Sequence, residues 1–226
     1  MSAVLAHELD VSIDSIRRDL QELEAVGALQ RVHGGAVRPL AGTPRFLDRL
    51  EEDEPGREAI AACAAALIAD DQLVAVGGGT TAVALAQALR NDLRATILTS
   101  SLDVAIALRT CEQVTVDVLG GRLDRTSQTV VGAGAVEQLR AVRPDLCVVS
   151  PCWLELEQGV TLRDRAEAEV MRAMIDRSRR VMAIATAGKL GATGPYVVAE
   201  TKQIDVLVTD APADDYAALG IEVVRP

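Results

Sequence analysis

Four places along the chain gather residue types that hold anions. In VGGGTT, Gly77, Gly78 and Gly79 run into Thr80 and Thr81. Glycines let backbone N–H groups approach a phosphate, and a helix opening at the threonines adds positive potential there. Thr99-Ser100-Ser101 offers a run of hydroxyls. In LGGRL, Gly120 and Gly121 free the backbone, and Arg122 presents a planar fork for phosphate or carboxylate. Lys189, in ATAGKLG, adds an ammonium. The chemistry these residues share is capture of a small anion. The effector-site candidates are Gly78, Gly79, Thr80, Thr81, Ser100, Ser101, Gly121, Arg122 and Lys189. The glycine run matches neither GxGxxG nor a P-loop, so a dinucleotide or nucleotide-hydrolysing site is not expected, and no cofactor is.

For such loops to converge, each must leave the carboxyl end of a strand in one open sheet. The pattern supplies them. Apolar runs at 73–76, 95–99, 114–119, 146–149, 181–185, 206–209 and 222–224 alternate with helical stretches at 59–69, 80–90, 102–109, 135–141 and 165–177. Continuous apolar strands between helices imply a Rossmann-like, mostly parallel α/β sheet covered on both faces, here assigned to residues 58–226. Residues 39–57, PLAGTPRFLDRLEEDEPGR, carry three prolines, two glycines and an acidic run, and read as a linker.

Residues 1–38 have a different character. Ser12 is a good N-cap, with Asp14 in the first turn of a helix over 13–26. Ile13, Ile16, Leu20 and Leu23 form one apolar face, while Ser15, Arg17, Arg18, Gln21 and Glu22 line the other. Gly27 ends the helix, and 29–32 can pair with 36–38 across His33-Gly34-Gly35. A polar helix face beside a small basic hairpin suits a winged helix-turn-helix entering a DNA major groove. The DNA-contact candidates are Ser15, Arg17, Arg18 and Gln21 on the helix, with Arg31 and His33 on the wing.

IRRDLQELEAVGALQRVHGGAV resembles the end of the DNA-binding domain of DeoR-family bacterial regulators. The resemblance extends over nearly the whole chain. The family's GTT, TNSL and LGGR segments match 79–81, 99–102 and 119–122. Its EAE–RAMI helix matches Glu167, Glu169 and 172–175, and the lysine of its SK pair matches Lys189. The resemblance implies a repressor of a sugar-use operon, relieved by a phosphosugar or similar small anion, with a sensor domain resembling ribose-5-phosphate isomerase in fold; a cytoplasmic location is expected from the lack of a bilayer-spanning run or signal-peptide pattern. It also implies a double-stranded operator as partner and, because paired half-sites demand paired readers, a homo-oligomer. Only two helices of the three-helix winged domain are visible, over 4–9 and 13–26. The expectation is a partial winged domain lacking its first helix, from a late start or from decay. Departures from the family pattern cluster at the ligand loops. An acidic residue is replaced by Gly77, the Asn of TNS by Ser100, and the GAD-like turn by Ser150-Pro151-Cys152-Trp153. The helix lysine becomes Met171, and DSSK becomes Thr186-Ala187-Gly188-Lys189. The phosphate cradle is kept while groups that would read a sugar are thinned.

Composition narrows the remaining classes. Net charge is −10, and even over 1–38 six acids outnumber four arginines, so DNA binding must rest on a few placed arginines and on dimerisation. Only 2% of residues are aromatic, which disfavours a single-strand stacking platform. No stretch is apolar enough for a bilayer-spanning helix or a signal peptide. The four cysteines, Cys63, Cys111, Cys147 and Cys152, form no CxxC, and both histidines lie before residue 34, so no metal site is expected. An isomerase reading needs a placed carboxylate base. Glu167 and Glu169 read more simply as ion-paired helix-surface groups, and Cys152 has no histidine in its domain to activate it. No catalytic residue is assigned. The alternatives are a sensor that does not bind DNA or a degenerate isomerase-like protein.

Overall fold

The computed structural model describes residues 11–25, 30–32, 35–37, 46–52 and 54–226. The chain divides into two units, Met1–Pro44 and Arg45–Pro226. In the first, α1 spans Ile13–Ala25. It begins as its sequence requires, with the Ser15 amide donating to Ser12 Oγ at 3.0 Å. Ile16 is buried and Leu20 half-buried, but Ile13, expected on the same face, is 44% exposed. Strands β1 (Gln30–Val32) and β2 (Gly35–Val37) pair antiparallel with Val32 opposite Gly35, which is the expected wing. The expected helix over 4–9, the Gly27 stop and His33 lie outside the described residues.

The second unit is built on a sheet of seven strands, all parallel. These are β3 (Leu73–Val76), β4 (Thr96–Thr99), β5 (Thr115–Val118), β8 (Leu146–Val149), β11 (Val181–Ile184), β13 (Val206–Val208) and β14 (Glu222–Val224). Their order is β14-β13-β11-β8-β3-β4-β5. Side chains alternate between two cores, as a pleat demands. Val74, Val76, Val148, Met182 and Ile184 face one core, while Ala75, Cys147, Val149 and Ala183 face the other. The first core is closed by α2 (Phe46–Glu51), α3 (Arg57–Ala66), α4 (Thr80–Ala88) and α5 (Leu102–Ala107), through Phe46, Ile60, Leu85 and Val104. The second is closed by α6 (Ala133–Arg140) and α7 (Arg165–Arg177), through Leu139 and Met174. A short helix, α8 (Asp214–Ala218), adds Tyr216 to it.

Two features fall outside the sequence expectation. Strands β9 (Trp153–Glu155), β10 (Gly159–Leu162) and β12 (Tyr196–Ala199) form a small antiparallel sheet in the order β12-β10-β9. Strands β6 (Arg122–Asp124) and β7 (Thr129–Val131) form a hairpin. Runs of three or four residues are too short to show a period, and several are buried on successive residues, so alternation is lost. The other concerns the expected linker over 39–57. From Phe46 onward it belongs to the sensor unit rather than bridging to it. Phe46 is fully buried and its amide donates to the Thr126 carbonyl at 2.8 Å. The acidic and proline-rich composition hid one apolar anchor.

That anchor can be tested directly. Phe46→Ala should destabilise the full chain by about 3–5 kcal/mol, the cost of a large core cavity, read by denaturant unfolding on the single tryptophan's fluorescence. A loss within about 0.5 kcal/mol, as at an exposed surface position, would return the segment to linker status.

Candidate functional site: an anion cradle at the sheet's switch point

The strand order reverses between β3 and β8, so their following loops diverge and leave a crevice. Gly79 turns the first loop with φ 114°, a conformation side-chain-bearing residues rarely adopt. A Cβ there would fall 2.9 Å from Ser150 Oγ on the β8 loop, so the two loops can approach only across a glycine. Thr80 and Thr81 then open α4 and are buried. Lys189, on the turn after β11, brings Nζ to 3.2 Å from Thr81 Oγ1. Gly78, Gly79, Thr80, Thr81 and Lys189 therefore come together as one cradle. The lysine side chain is only 14% exposed, and burial lowers its pKa while the neighbouring Glu54 carboxylate opposes the shift.

The other candidates have more structural duties. Ser101 Oγ accepts the Val104 amide at 3.3 Å and caps α5, and Ser101 N–H donates to Thr99 Oγ1 at 3.0 Å. Ser100 is buried, and its carbonyl accepts the Val130 amide at 2.6 Å, tying the β4 loop to the hairpin. A Cβ on Gly121 would lie 2.9 Å from the Val131 carbonyl, so this glycine serves close packing of the hairpin. Arg122 starts β6 and is exposed. It shares a face of that strand with Asp124, which sits near Glu167.

Composition concealed the inward placement of five residues that line the same region. Arg49 comes from α2, and its charge reaches Cys152, Glu167 and Lys189. Its Nε is buried and makes no hydrogen bond. Glu54 accepts the Thr186 hydroxyl at 2.6 Å and lies 3.7 Å from Lys189 Nζ. Glu167 corrects the surface reading. Its neighbour Glu169 does pair with Arg165 at 3.0 Å, but Glu167 turns inward, and burial pushes its pKa up to about 7 against the pull of Arg49. Cys152 faces it, and burial together with that carboxylate holds the thiol protonated. Arg163 stacks 4.5 Å from the Trp153 ring centre, closing the far wall. The acidic loop around Glu54 and the i, i+2 pair of glutamates each look like a solvated surface in sequence. Only their tertiary neighbours separate inward from outward.

Two of the departures noted in the sequence are one packing event. A Cβ on Gly77 would land on the terminal methyl of Met171. The space that an acidic side chain and a lysine would share, across β3 and α7, is filled by methionine alone. The methyl of Met171 therefore makes the wall in front of Gly77 apolar.

Two outcomes follow from this geometry. Gly77→Asp should destabilise by about 1–3 kcal/mol by burying an unpaired polar group, and Met171→Lys in the same chain should restore at least half of the loss, measured by chemical denaturation. A double variant no better than the single would show the two positions to be independent. For Glu167, the folded chain holds its proton more tightly than the unfolded chain does. Stability therefore falls as pH rises from 4.5, the ordinary value, through about 7. Glu167→Gln should flatten that part of the stability–pH profile, and an unchanged slope would place the carboxyl in water.

In the first unit, Arg18 and Gln21 are exposed along α1, and Ser15 is half-buried with Oγ 2.9 Å from Ser12 Oγ. Arg17 lies on the same helix and Arg31 on β1, while His33 is outside the described residues. No helix among the described residues is long and apolar enough to cross a membrane, and no described cluster has metal-ligand character.

Comparison with known proteins agrees with both halves. Residues 3–40 match the DeoR-like helix-turn-helix domain and residues 52–211 the DeoR C terminal sensor domain. The HTH-type transcriptional regulator GolR of Listeria innocua is 33% identical over 91% of this chain and 82% of its own length. The glycerol-3-phosphate regulon repressor of Escherichia coli is 30% identical over 92% of this chain and 83% of its own. Among solved structures, ribose 5 phosphate isomerase A from Neisseria gonorrhoeae aligns with a TM-score of 0.45 at 12% identity, over 61% of this chain. This chain spans about half of that enzyme's length, 53%. With a helix-turn-helix match at one end and a sensor-domain match over most of the rest, the chain belongs to the DeoR family of transcriptional regulators.

Proposed function

We propose that this protein represses a carbohydrate-use operon by binding its operator through α1 and the wing, and that a phosphorylated sugar or similar small anion at the cradle relieves repression. One observation carries the effector reading: the Lys189 ammonium lies 3.2 Å from Thr81 Oγ1 at the start of α4, whose N-cap, Gly79, makes no side-chain capping hydrogen bond. A phosphoryl group seated there would meet a cation, two hydroxyls, backbone donors and a helix N-terminus together. Relatives whose names include a glycerol-3-phosphate regulon repressor favour a phosphorylated ligand. The exposed Arg18 and Gln21 support base or phosphate contact from α1. With acids outnumbering arginines in this segment, the reader works as a homo-oligomer on paired half-sites.

The test uses the full chain and double-stranded DNA from its own control region. Specific affinity should fall steeply as salt rises, because each phosphate contact releases counterions. Arg18→Ala should weaken specific binding by about 1–3 kcal/mol if it reads a base edge, and much less on unrelated DNA. Sugar phosphates should raise the melting temperature and release the DNA, and Lys189→Met should abolish both effects without unfolding the chain. Indifference to its own operator at low ionic strength would defeat the repressor reading. An unaltered response in Lys189→Met would defeat the cradle.

A further inference from the structure

The segment 46–56 is fastened at both ends across the crevice. At one end the Phe46 amide donates to Thr126 O at 2.8 Å, in the turn between β6 and β7. At the other, Glu54 Oε1 accepts Thr186 Oγ1 at 2.6 Å and lies 3.7 Å from Lys189 Nζ, both groups on the turn after β11. Gly56, at φ 82°, seats so close to Asp210 that a Cβ there would collide with its carboxylate. That same Asp210 accepts the Ala187 amide at 2.7 Å, so the fastening is built into the fold rather than into one flexible side chain. Between the two ends, α2 carries Arg49 with its partnerless Nε toward Cys152, Glu167 and Lys189. In sequence, this segment leads directly back to the DNA-reading unit.

We propose that Glu54 is a tethered competitor for the anion cradle: its carboxylate holds the place on Lys189 and Thr186 that a phosphoryl dianion takes, so ligand entry frees the 46–56 segment. The inference rests on the cradle assignment above. A single carboxylate satisfies one hydroxyl and shares one ammonium. A dianion brings more charge and more acceptor oxygens, and can add the Gly78–Thr81 amides and the idle Arg49 donor. Glu54 therefore makes the site selective for ligands with a dianionic group, because a neutral sugar offers Lys189 nothing to replace the carboxylate. The displaced carboxylate is then repelled by the ligand that displaced it, and the Glu54 end of the segment loosens while Phe46 remains an anchor.

The experiment titrates inorganic phosphate into the full-length protein, its Glu54→Gln variant and its Lys189→Met variant by calorimetry. Hydrogen exchange is followed in peptides covering 46–60. Glu54→Gln should bind phosphate about tenfold more tightly than the wild type, and Lys189→Met should not bind it. Phosphate should speed exchange over 46–56 in the wild type. In Glu54→Gln these amides should already exchange fast and respond little. Should the glutamine variant fold poorly, Glu54→Ala serves the same comparison. Equal phosphate affinity in wild type and Glu54→Gln, with binding lost in Lys189→Met, overturns the competitor role and leaves the cradle standing. Tighter binding with no change in exchange overturns the coupling to the 46–56 segment. Absence of phosphate binding in every variant removes the cradle assignment itself, and this inference with it.

Discussion

A lysine ammonium held largely out of water organises the sensor unit. Lys189 has two near partners, the Thr81 hydroxyl and the more distant Glu54 carboxylate, in a place where burial already disfavours its charge. A buried cation needs a counter-anion, and the fold provides one from within its own chain. The reversal of strand order beside β3 opens the crevice. Gly79 lets the two loops meet, and the 46–56 segment brings Arg49 and Glu54 to it. Cradle, crevice and segment thus share one electrostatic constraint.

The neighbouring substitutions make physical sense under that constraint. The Met171 methyl fills the space in front of Gly77, so the inner wall is apolar there. Thr186 stands where the related pattern has an acid, and its hydroxyl is met by the carboxylate of Glu54. The carboxylate met by this turn comes from the 46–56 segment. Glu167, its pKa pushed up to about 7 by burial against the pull of Arg49, makes the charge of this wall depend on pH in the neutral range.

Much of the architecture was legible in the chain. Strand–helix alternation with unbroken apolar strands required a parallel sheet covered on both sides, and the seven strands lie in the expected places. Ser12 as a cap and Arg165–Arg177 as a helix follow from local chemistry alone. Less legible were elements of three or four residues, such as Trp153–Glu155 and Arg122–Asp124, which pair with strands only a few residues on but are too short to show a period. Phe46 was hidden for a related reason. One apolar anchor among prolines and acids carries no periodicity, and its burial depends on a core built from residues well downstream.

The amino-acid order by itself determined the family resemblance, the class of fold, the glycine–threonine cradle and the placement of an arginine-bearing helix beside a hairpin wing. Those features rest on backbone freedom, capping and periodicity, which act within a few residues. Tertiary structure alone decided which charges face one another. Glu167 turns inward while Glu169 faces out, Arg49 reaches a site more than a hundred residues away in sequence, and Glu54 meets Lys189 across the crevice. Electrostatic partners are set by distance and burial in space, and the order of residues along the chain does not encode either until the sheet has formed.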